Sequence, residues 1–394
     1  MTATAMLPDR LLDADVHASG EVHRIWRWMR DHAPVHRHEA GQLPMFWSLT
    51  RYEDIRAAYR TPEVFSSLDG VLLRAVSRGD DPGRGLTLAL TDPPRHRQLR
   101  AMLTDRFDER CARGLEDVIR AEARTVIADA AAAGECDFAH DVGARLAIYL
   151  ICRLMGVAEG DYESMLRWTT EAFEAGTSLV VHPQFMRYFV GLMDARARQA
   201  SDDAVSMLLG GFPGSGEPLT EAEVLLNCEN LVGATENAGL STAAGMQAFL
   251  EHPQQWRRLR ERPGLLPTAV EEVLRWTSSA THSMRTATRP IEVQGVRIEA
   301  GDRVVLWIPS ANRDGSVFAD PDTFDVGRRP NRHLALGIGE HVCIGSTMAR
   351  HQMRALFAEL IADTADIEQV GSAVPLRSLA VSGPAHLPVR ITMR

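Results

Sequence analysis

The chain contains little cysteine, and what it has is scattered. Its five cysteines stand at 111, 136, 152, 228 and 343, odd in number and without a Cys-x-x-Cys, which excludes the zinc clusters that such pairs build. The scatter fits a reducing compartment. An excess of positive charge is also missing: 43 Lys and Arg face 52 Asp and Glu, a net charge of -9. That balance argues against nucleic acid or an anionic membrane as the main partner. The best apolar run, Ala147 to Val157, is interrupted by Arg153 and is too short to span a bilayer. The first twenty residues, MTATAMLPDRLLDADVHASG, have neither a basic n-region nor an unbroken apolar stretch. A cytoplasmic protein is expected. No linker, composition shift or internal repeat divides the sequence, so a single domain over 1–394 is expected. With 45% hydrophobic and 24% charged residues the chain lies in the ordinary globular range and has material for a large core.

Helical periodicity dominates the pattern. VHRHEAGQLPMFWSLT (35–50) predicts a short hairpin, and 51–60 a helix stopped before Pro62. Residues 65–90 are rich in Gly, Ser, Asp and Pro and read as a long irregular loop, a kind of segment that tends to carry function. Helical patterns follow at about 95–133, 142–155 and 161–210, until GGFPGSGEP (210–218) breaks the chain. Thr220 and Glu223 then have capping-box spacing, and no proline follows before Pro253. One helix of about 30 residues and about 45 Å is predicted. Its middle, LVGATENAGLSTAAGM, carries only the charge of Glu236 and is expected to be buried on most sides, so Glu236 needs a chemical reason. Another helix ends near Trp276, IEVQGVRIEAGDRVVLW alternates as small strands, and a helix over 345–363 precedes more short strands. The architecture is mainly α with minor β.

Residues 333–345, HLALGIGEHVCIG, form a glycine-rich loop that presents Cys343 just before a helical pattern. Backbone N–H groups at a helix start and in such a loop stabilise a thiolate, and closely approaching glycines leave room for a flat ligand. A buried structural cysteine is the plain alternative. A nucleophile paired with His341 is another, although side chains two apart on a loop rarely converge. The glycine spacing matches neither phosphate-binding fingerprint.

This segment resembles the haem-binding loop of cytochromes P-450, F-G-x-G-x-H-x-C-x-G. Gly337, Gly339, His341, Cys343 and Gly345 fall in register, and Leu336 replaces the usual phenylalanine. Further motifs appear in order. Glu272-Val-Leu-Arg275 matches E-x-x-R, an ion pair that locks the cysteine loop in the family; the same spacing at 21–24 and 53–56 occurs by chance. TDPPRHRQLR (91–100) resembles D-P-P-x-H-x-x-x-R, which makes His96 and Arg100 propionate ligands, with Arg285 of SMRTA and His341 completing the set. Gly233-Ala234-Thr235-Glu236-Asn237-Ala238 is similar to A-G-x-[DE]-T-[TS] of the central helix, with Asn237 in place of the threonine that helps hold dioxygen and relay protons.

The resemblance implies the cytochrome P-450 fold, with haem b between the long central helix and the cysteine-loop helix. Cys343 becomes the iron ligand, while Ala234, Leu336, Gly337 and Gly345 lie against the cofactor. It implies a monooxygenase that hydroxylates or epoxidises a small organic molecule, in the setting of bacterial secondary metabolism such as antibiotic biosynthesis. Glu236 and Asn237 are the expected proton-handling pair, and Asn237 raises the prospect of oxidative coupling or peroxygenation instead. A haem sensor or carrier is the alternative from another class. The resemblance places the pocket at about 65–90, 165–195, 277–284 and 378–383, with Leu72, Leu73, Phe173, Gly233, Thr281, His282, Ala380 and Val381 as lining; His282 suggests a polar contact to substrate. The substrate is free or carried on a carrier protein. With no flavin or iron-sulfur module among the 394 residues, electrons from NAD(P)H are expected through a ferredoxin or flavodoxin and its reductase. Arg97, Arg328, Arg329, Arg332, Arg350 and Arg354 are the expected basic patch for that partner.

Overall fold

The computed structural model describes residues 8–39, 41, 43–73, 81–174 and 179–394; the parts of the predicted loop and helices at 74–80 and 175–178 lie outside them. The fold is mainly helical with minor sheet, as the periodicity predicts. The chain packs as two compact units, each assembled from three separated stretches. One comprises Met1–Arg84, Leu240–Cys343 and Glu368–Pro388, the other Gly85–Gly239, Ile344–Ile367 and Val389–Arg394.

The first unit is built on a five-stranded sheet in the order Val35–His38, Phe46–Leu49, Arg303–Trp307, His282–Ala287, Phe65–Ser66. The predicted hairpin is its first, antiparallel pair. Phe46–Leu49 then pairs parallel with Arg303–Trp307. Every residue of the latter is buried, because both sheet faces are covered. Alternation sorts its side chains into two cores. Val304 and Leu306 join Val35, Leu49, Ile55 and Phe65 on one side, while Val305 and Trp307 join Leu11, Ile25, Trp26 and Phe46 on the other. The helix Tyr52–Arg60 buries Tyr52, Ile55, Ala58 and Tyr59, an i, i+3, i+6, i+7 face, and stops ahead of Pro62. The helix Leu266–Thr277 ends on Ser278, whose φ of 43° is unusual for a residue with a side chain.

The second unit is helical. The pattern over 95–133 resolves into Arg95–Phe107, Glu109–Gly114 and Glu116–Ala132, because Asp108 caps a new start by accepting from the Cys111 amide at 2.8 Å. Helix Ser346–Asp363 packs on Glu116–Ala132, with Arg120 and Arg124 paired to Glu359 at 2.6 and 3.3 Å. A single core runs through Leu99, Leu103, Ile151, Met155, Phe185, Phe189, Val224 and Cys228.

The capping box of Thr220 and Glu223 is present in both directions, a motif worth about 1 kcal/mol. The helix it starts is not continuous, however. It runs Glu221–Gly233, and a second helix begins at Glu236 and ends at Glu251. Thr235 is the cause: its hydroxyl and its amide both bond the Val232 carbonyl, at 2.6 and 3.2 Å, which takes that acceptor out of the helical ladder. Among the described residues no helix is long and apolar enough to cross a membrane.

Candidate active site

Burial sorts the cysteines first. Cys136, Cys152 and Cys228 are buried, their thiols pushed up by desolvation, Cys136 to about 12. Cys111 is half-buried and its thiol is raised as well. Only Cys343 is exposed. Its loop is folded on itself: the Gly337 amide donates to Leu334 O at 2.9 Å, Val342 to Gly339 O at 3.2 Å, and Cys343 to Leu336 O at 2.9 Å. Gly337 and Gly339 have φ of 64° and 76°. A Cβ on Gly339 would lie 2.6 Å from the Tyr59 carbonyl oxygen, so both backbone conformation and space require glycine there.

What holds this loop in place is a buried polar network. Glu272 and Arg275 are both 0% exposed, and the guanidinium donates to the two carboxylate oxygens at 2.7 and 2.8 Å. Arg328 Nε donates to the same oxygens at 3.1 and 3.2 Å, Asn331 Nδ2 at 3.1 Å, and the Asp325 amide at 2.9 Å. Both arginines use their remaining hydrogens on carbonyls: Arg275 on Asn312, Pro321 and Thr323, Arg328 on Ala319, Asp320 and Thr323. A buried carboxylate is tolerable only when paired and fully hydrogen-bonded, as here.

Asn312 carries the brace to the loop. Its carbonyl accepts from Arg275 at 2.9 Å, its Oδ1 accepts from the Leu334 amide at 2.7 Å, and its Nδ2 donates to Ser278 Oγ at 2.8 Å. The same Ser278 hydroxyl donates to Arg275 O at 2.9 Å, fixing the residue that ends the helix in left-handed geometry. The family resemblance pointed to Glu272 and Arg275 but gave no part in this network to Arg328, Asn312 or Ser278. Arg328 was expected on an exposed basic patch; it is buried in the Glu272 network and leaves that patch. Arg329 and Arg332 are exposed.

Tyr59 links the loop to the sheet. It lies under Gly337 and Gly339, its hydroxyl meets Ser283 Oγ at 2.5 Å, and the Arg285 guanidinium sits 5.6 Å over its ring. Arg285 is 5% exposed and donates to Met284 O at 2.7 Å, while His341 Nε2 lies 3.4 Å from Ser67 Oγ.

Several residues expected to line a pocket are committed elsewhere. His282 accepts the Leu73 amide on Nε2 at 2.9 Å, so its proton is on Nδ1, which donates to Leu379 O at 3.0 Å. Burial holds its imidazole down to about 4. This corrects the expectation of an open polar contact: His282 ties 71–73 and 378–380 to its strand. Thr281 donates its hydroxyl to Leu379 O and its amide to Ala380 O, and Leu73 packs in the Trp26 and Trp307 core. Leu72, Ala380 and Val381 are half-buried.

In the second unit, His96 is buried in the first turn of Arg95–Phe107 and Arg100 follows one turn on, half-buried. Ala234 is exposed at the helix break, and Gly233, Glu236 and Asn237 are half-buried there. Desolvation raises the Glu236 carboxyl to about 8, even at a helix start, which favours negative charge. Three residues on, Gly239 is pressed against the backbone of the π-helix Phe138–Ala144; a Cβ would come within 3.0 Å of Ala144 Cα. Phe173 is half-buried near the end of Tyr162–Glu174.

An exposed cysteine on a loop locked by a buried Glu–Arg pair, in a mainly helical chain, fits the haem-thiolate oxidoreductase that the sequence motifs resemble. Comparison with known proteins gives the same class. The cytochrome P450 family profile matches residues 245–363. Cytochrome P450 NovI of Streptomyces niveus is 33% identical over 386 residues, 96% of this chain and 95% of NovI. The steroid C26-monooxygenase of Mycolicibacterium smegmatis is 30% identical over 100% of this chain and 98% of its own. The crystal structure of P450 OxyD, involved in the biosynthesis of vancomycin-type antibiotics, superposes with a TM-score of 0.90 at 30% identity, covering 97% and 99% of the two chains. The chain belongs to the cytochrome P450 family and is an oxidoreductase of the monooxygenase type. That family's cofactor is a haem held by a cysteine thiolate. The donors present fit it: the exposed thiol of Cys343 on a loop fixed by its glycines, with the Arg285 guanidinium and the His341 ring as donors that match acidic propionates.

Proposed function

We propose that this enzyme hydroxylates or epoxidises a small organic molecule of natural-product type, with Cys343 as the ligand of haem b. The observation that carries the reading is Cys343 itself, the one exposed thiol, on a loop tied through Asn312 to Glu272 and Arg275. Once bound, the haem supplies dioxygen activation and insertion of one oxygen atom into the substrate. In the first unit Arg285 and His341 hold propionate oxygens, and Leu336 and Gly337 border the ring. In the second, His96 and Arg100 have the same propionate role, and Ala234 and Gly345 leave space for the cofactor. Leu72, Phe173, Gly233, Ala380 and Val381 meet the substrate, with Leu73, Thr281 and His282 fixing the backbone behind them. Electrons from NAD(P)H arrive through a ferredoxin or flavodoxin and its reductase.

Glu236 keeps a proton near neutral pH and Asn237 holds the water that receives it. Asn237 also favours a second reading, a non-hydroxylating oxidation such as oxidative coupling, because an amide relays protons less well than a hydroxyl. The likeness to OxyD, involved in the biosynthesis of vancomycin-type antibiotics, supports natural-product chemistry. P450BioI, 27% identical with a TM-score of 0.83, is described in complex with an acyl carrier protein bearing a hexadecenoic acid, which supports testing carrier-tethered substrates beside free ones.

The deciding experiment is the carbon monoxide difference spectrum of the dithionite-reduced protein beside Cys343→Ala. A strongly red-shifted Soret band that requires Cys343 supports the reading; histidine-type ligation overturns it. Spin-state shifts across natural-product precursors then select the substrate, and labelled dioxygen separates oxygen insertion from coupling.

A further inference from the structure

The edge strand Val35–His38 carries two histidines whose chemistry the haem site does not use. His36 and His38 are two residues apart and therefore face the same side of the sheet. Their rings stand 4.8 Å apart at 80°. Asp9, in the short 3-10 turn Pro8–Leu12, reaches the same place, and one ligating atom from each of the three lies within 4.8 Å of the other two. The group is graded in exposure, from the open Asp9 carboxylate through half-buried His36 to His38, which is 2% exposed.

His38 is set up as a ligand. Its Nε2 lies 2.9 Å from Ser48 Oγ, which also accepts from Trp307 Nε1 at 2.8 Å. A hydroxyl has two acceptor lone pairs and can take both N–H groups; in the tautomer that donates from Nε2, the lone pair of His38 is on Nδ1. That nitrogen is buried and has no hydrogen-bond partner among the described residues. A histidine that donates one ring N–H to a fixed acceptor and leaves the other nitrogen bare is the arrangement metal-binding histidines use. The ring stacks on Phe46, with centroids 4.4 Å apart and planes at 11°, which locks its orientation.

We propose that Asp9, His36 and His38 form a binding site for one divalent transition-metal ion of the zinc type, which fastens the N-terminal turn to the edge of the sheet. Two imidazoles and a carboxylate make a borderline donor set suited to zinc, and three protein ligands leave a coordination position for water. Tetrahedral zinc holds its ligand atoms about 3.3 Å apart, so the cluster must contract, and the exposed Asp9 side chain supplies that movement.

The test is calorimetric titration of the haem-loaded, chelator-treated protein with Zn²⁺, run beside His36→Ala and Asp9→Asn. These variants change half-buried and exposed side chains, so folding is retained, and an unchanged carbon monoxide spectrum verifies it. One zinc per chain, with affinity falling on the order of 100-fold in each variant and a zinc-dependent rise in melting temperature only in the unsubstituted protein, supports the site. Absence of binding, or binding equally strong in both variants, overturns it.

Discussion

Arg328 Nε lies 3.1 and 3.2 Å from the two carboxylate oxygens of Glu272, so a single buried acid is shared by two arginines. Replacing Arg328 by leucine leaves Glu272 with one cation where it had two and frees the carbonyls of Ala319 and Asp320. Breaking a buried pair of this kind costs about 3–5 kcal/mol. Urea unfolding followed by circular dichroism reads that loss; a change within 0.5 kcal/mol contradicts the role given to Arg328.

Asn312 joins the network to the cysteine loop by one side chain. Asn312→Ala removes the acceptor of the Leu334 amide and the donor to Ser278. Each buried group so orphaned costs about 1–3 kcal/mol. The expected spectroscopic result is a smaller share of thiolate-ligated carbon monoxide complex, because Leu334 and Gly337 no longer hold their positions. A variant that is destabilised but spectrally normal would confine Asn312 to folding.

Gly339→Ala tests the close approach of the loop to Tyr59. The added methyl meets the Tyr59 carbonyl oxygen at 2.6 Å on a backbone with φ of 76°, two costs that sum to more than about 2 kcal/mol. Haem content per chain should fall sharply, whereas Gly264→Ala, where a Cβ meets nothing within 4 Å, serves as a harmless control.

Glu236 gives the protein a pH dependence of known sign. Its folded pKa, about 8, stands above the ordinary 4.5. Between those values the folded chain binds more protons than the unfolded one, so this group lowers stability as pH rises through that window. Glu236→Gln should flatten the decline, as read from urea midpoints between pH 5 and pH 8; an identical slope in both proteins contradicts the shifted carboxyl.

Asn237→Thr restores the hydroxyl that the family's central helix normally carries. The share of reducing equivalents released as hydrogen peroxide should fall and product yield should rise, measured at saturating substrate. Unchanged leakage and yield would mean that Asn237 has no part in proton delivery.

Some of this was legible in the sequence because the signals are local. The hairpin at 35–49, the capping box at Thr220 and Glu223, and the glycines around Cys343 each depend on neighbouring residues. The break in the central helix did not show, because it depends on a choice by the Thr235 hydroxyl, which takes the Val232 carbonyl at 2.6 Å. Arg328 was misplaced for a related reason. Two adjacent arginines before a proline look like a solvated pair, and only the fold reveals that the first turns inward to an acid 56 positions earlier. His282 looked chemically available for the same lack of information, since its two backbone partners come from distant segments.

The pairing of Phe46 with Arg303 also sets a timetable for the growing polypeptide. The amino-terminal hairpin emerges from the ribosome early, but the strand that covers its inner edge is made only after most of the chain, and sheets closed over such separations form slowly. Until then the inner edge of the strand Phe46–Leu49 is unpaired, a surface that invites aggregation. Chains terminated before residue 303 should accumulate as insoluble material, and slower synthesis at low temperature should lower the misfolded share by keeping the concentration of waiting hairpins small.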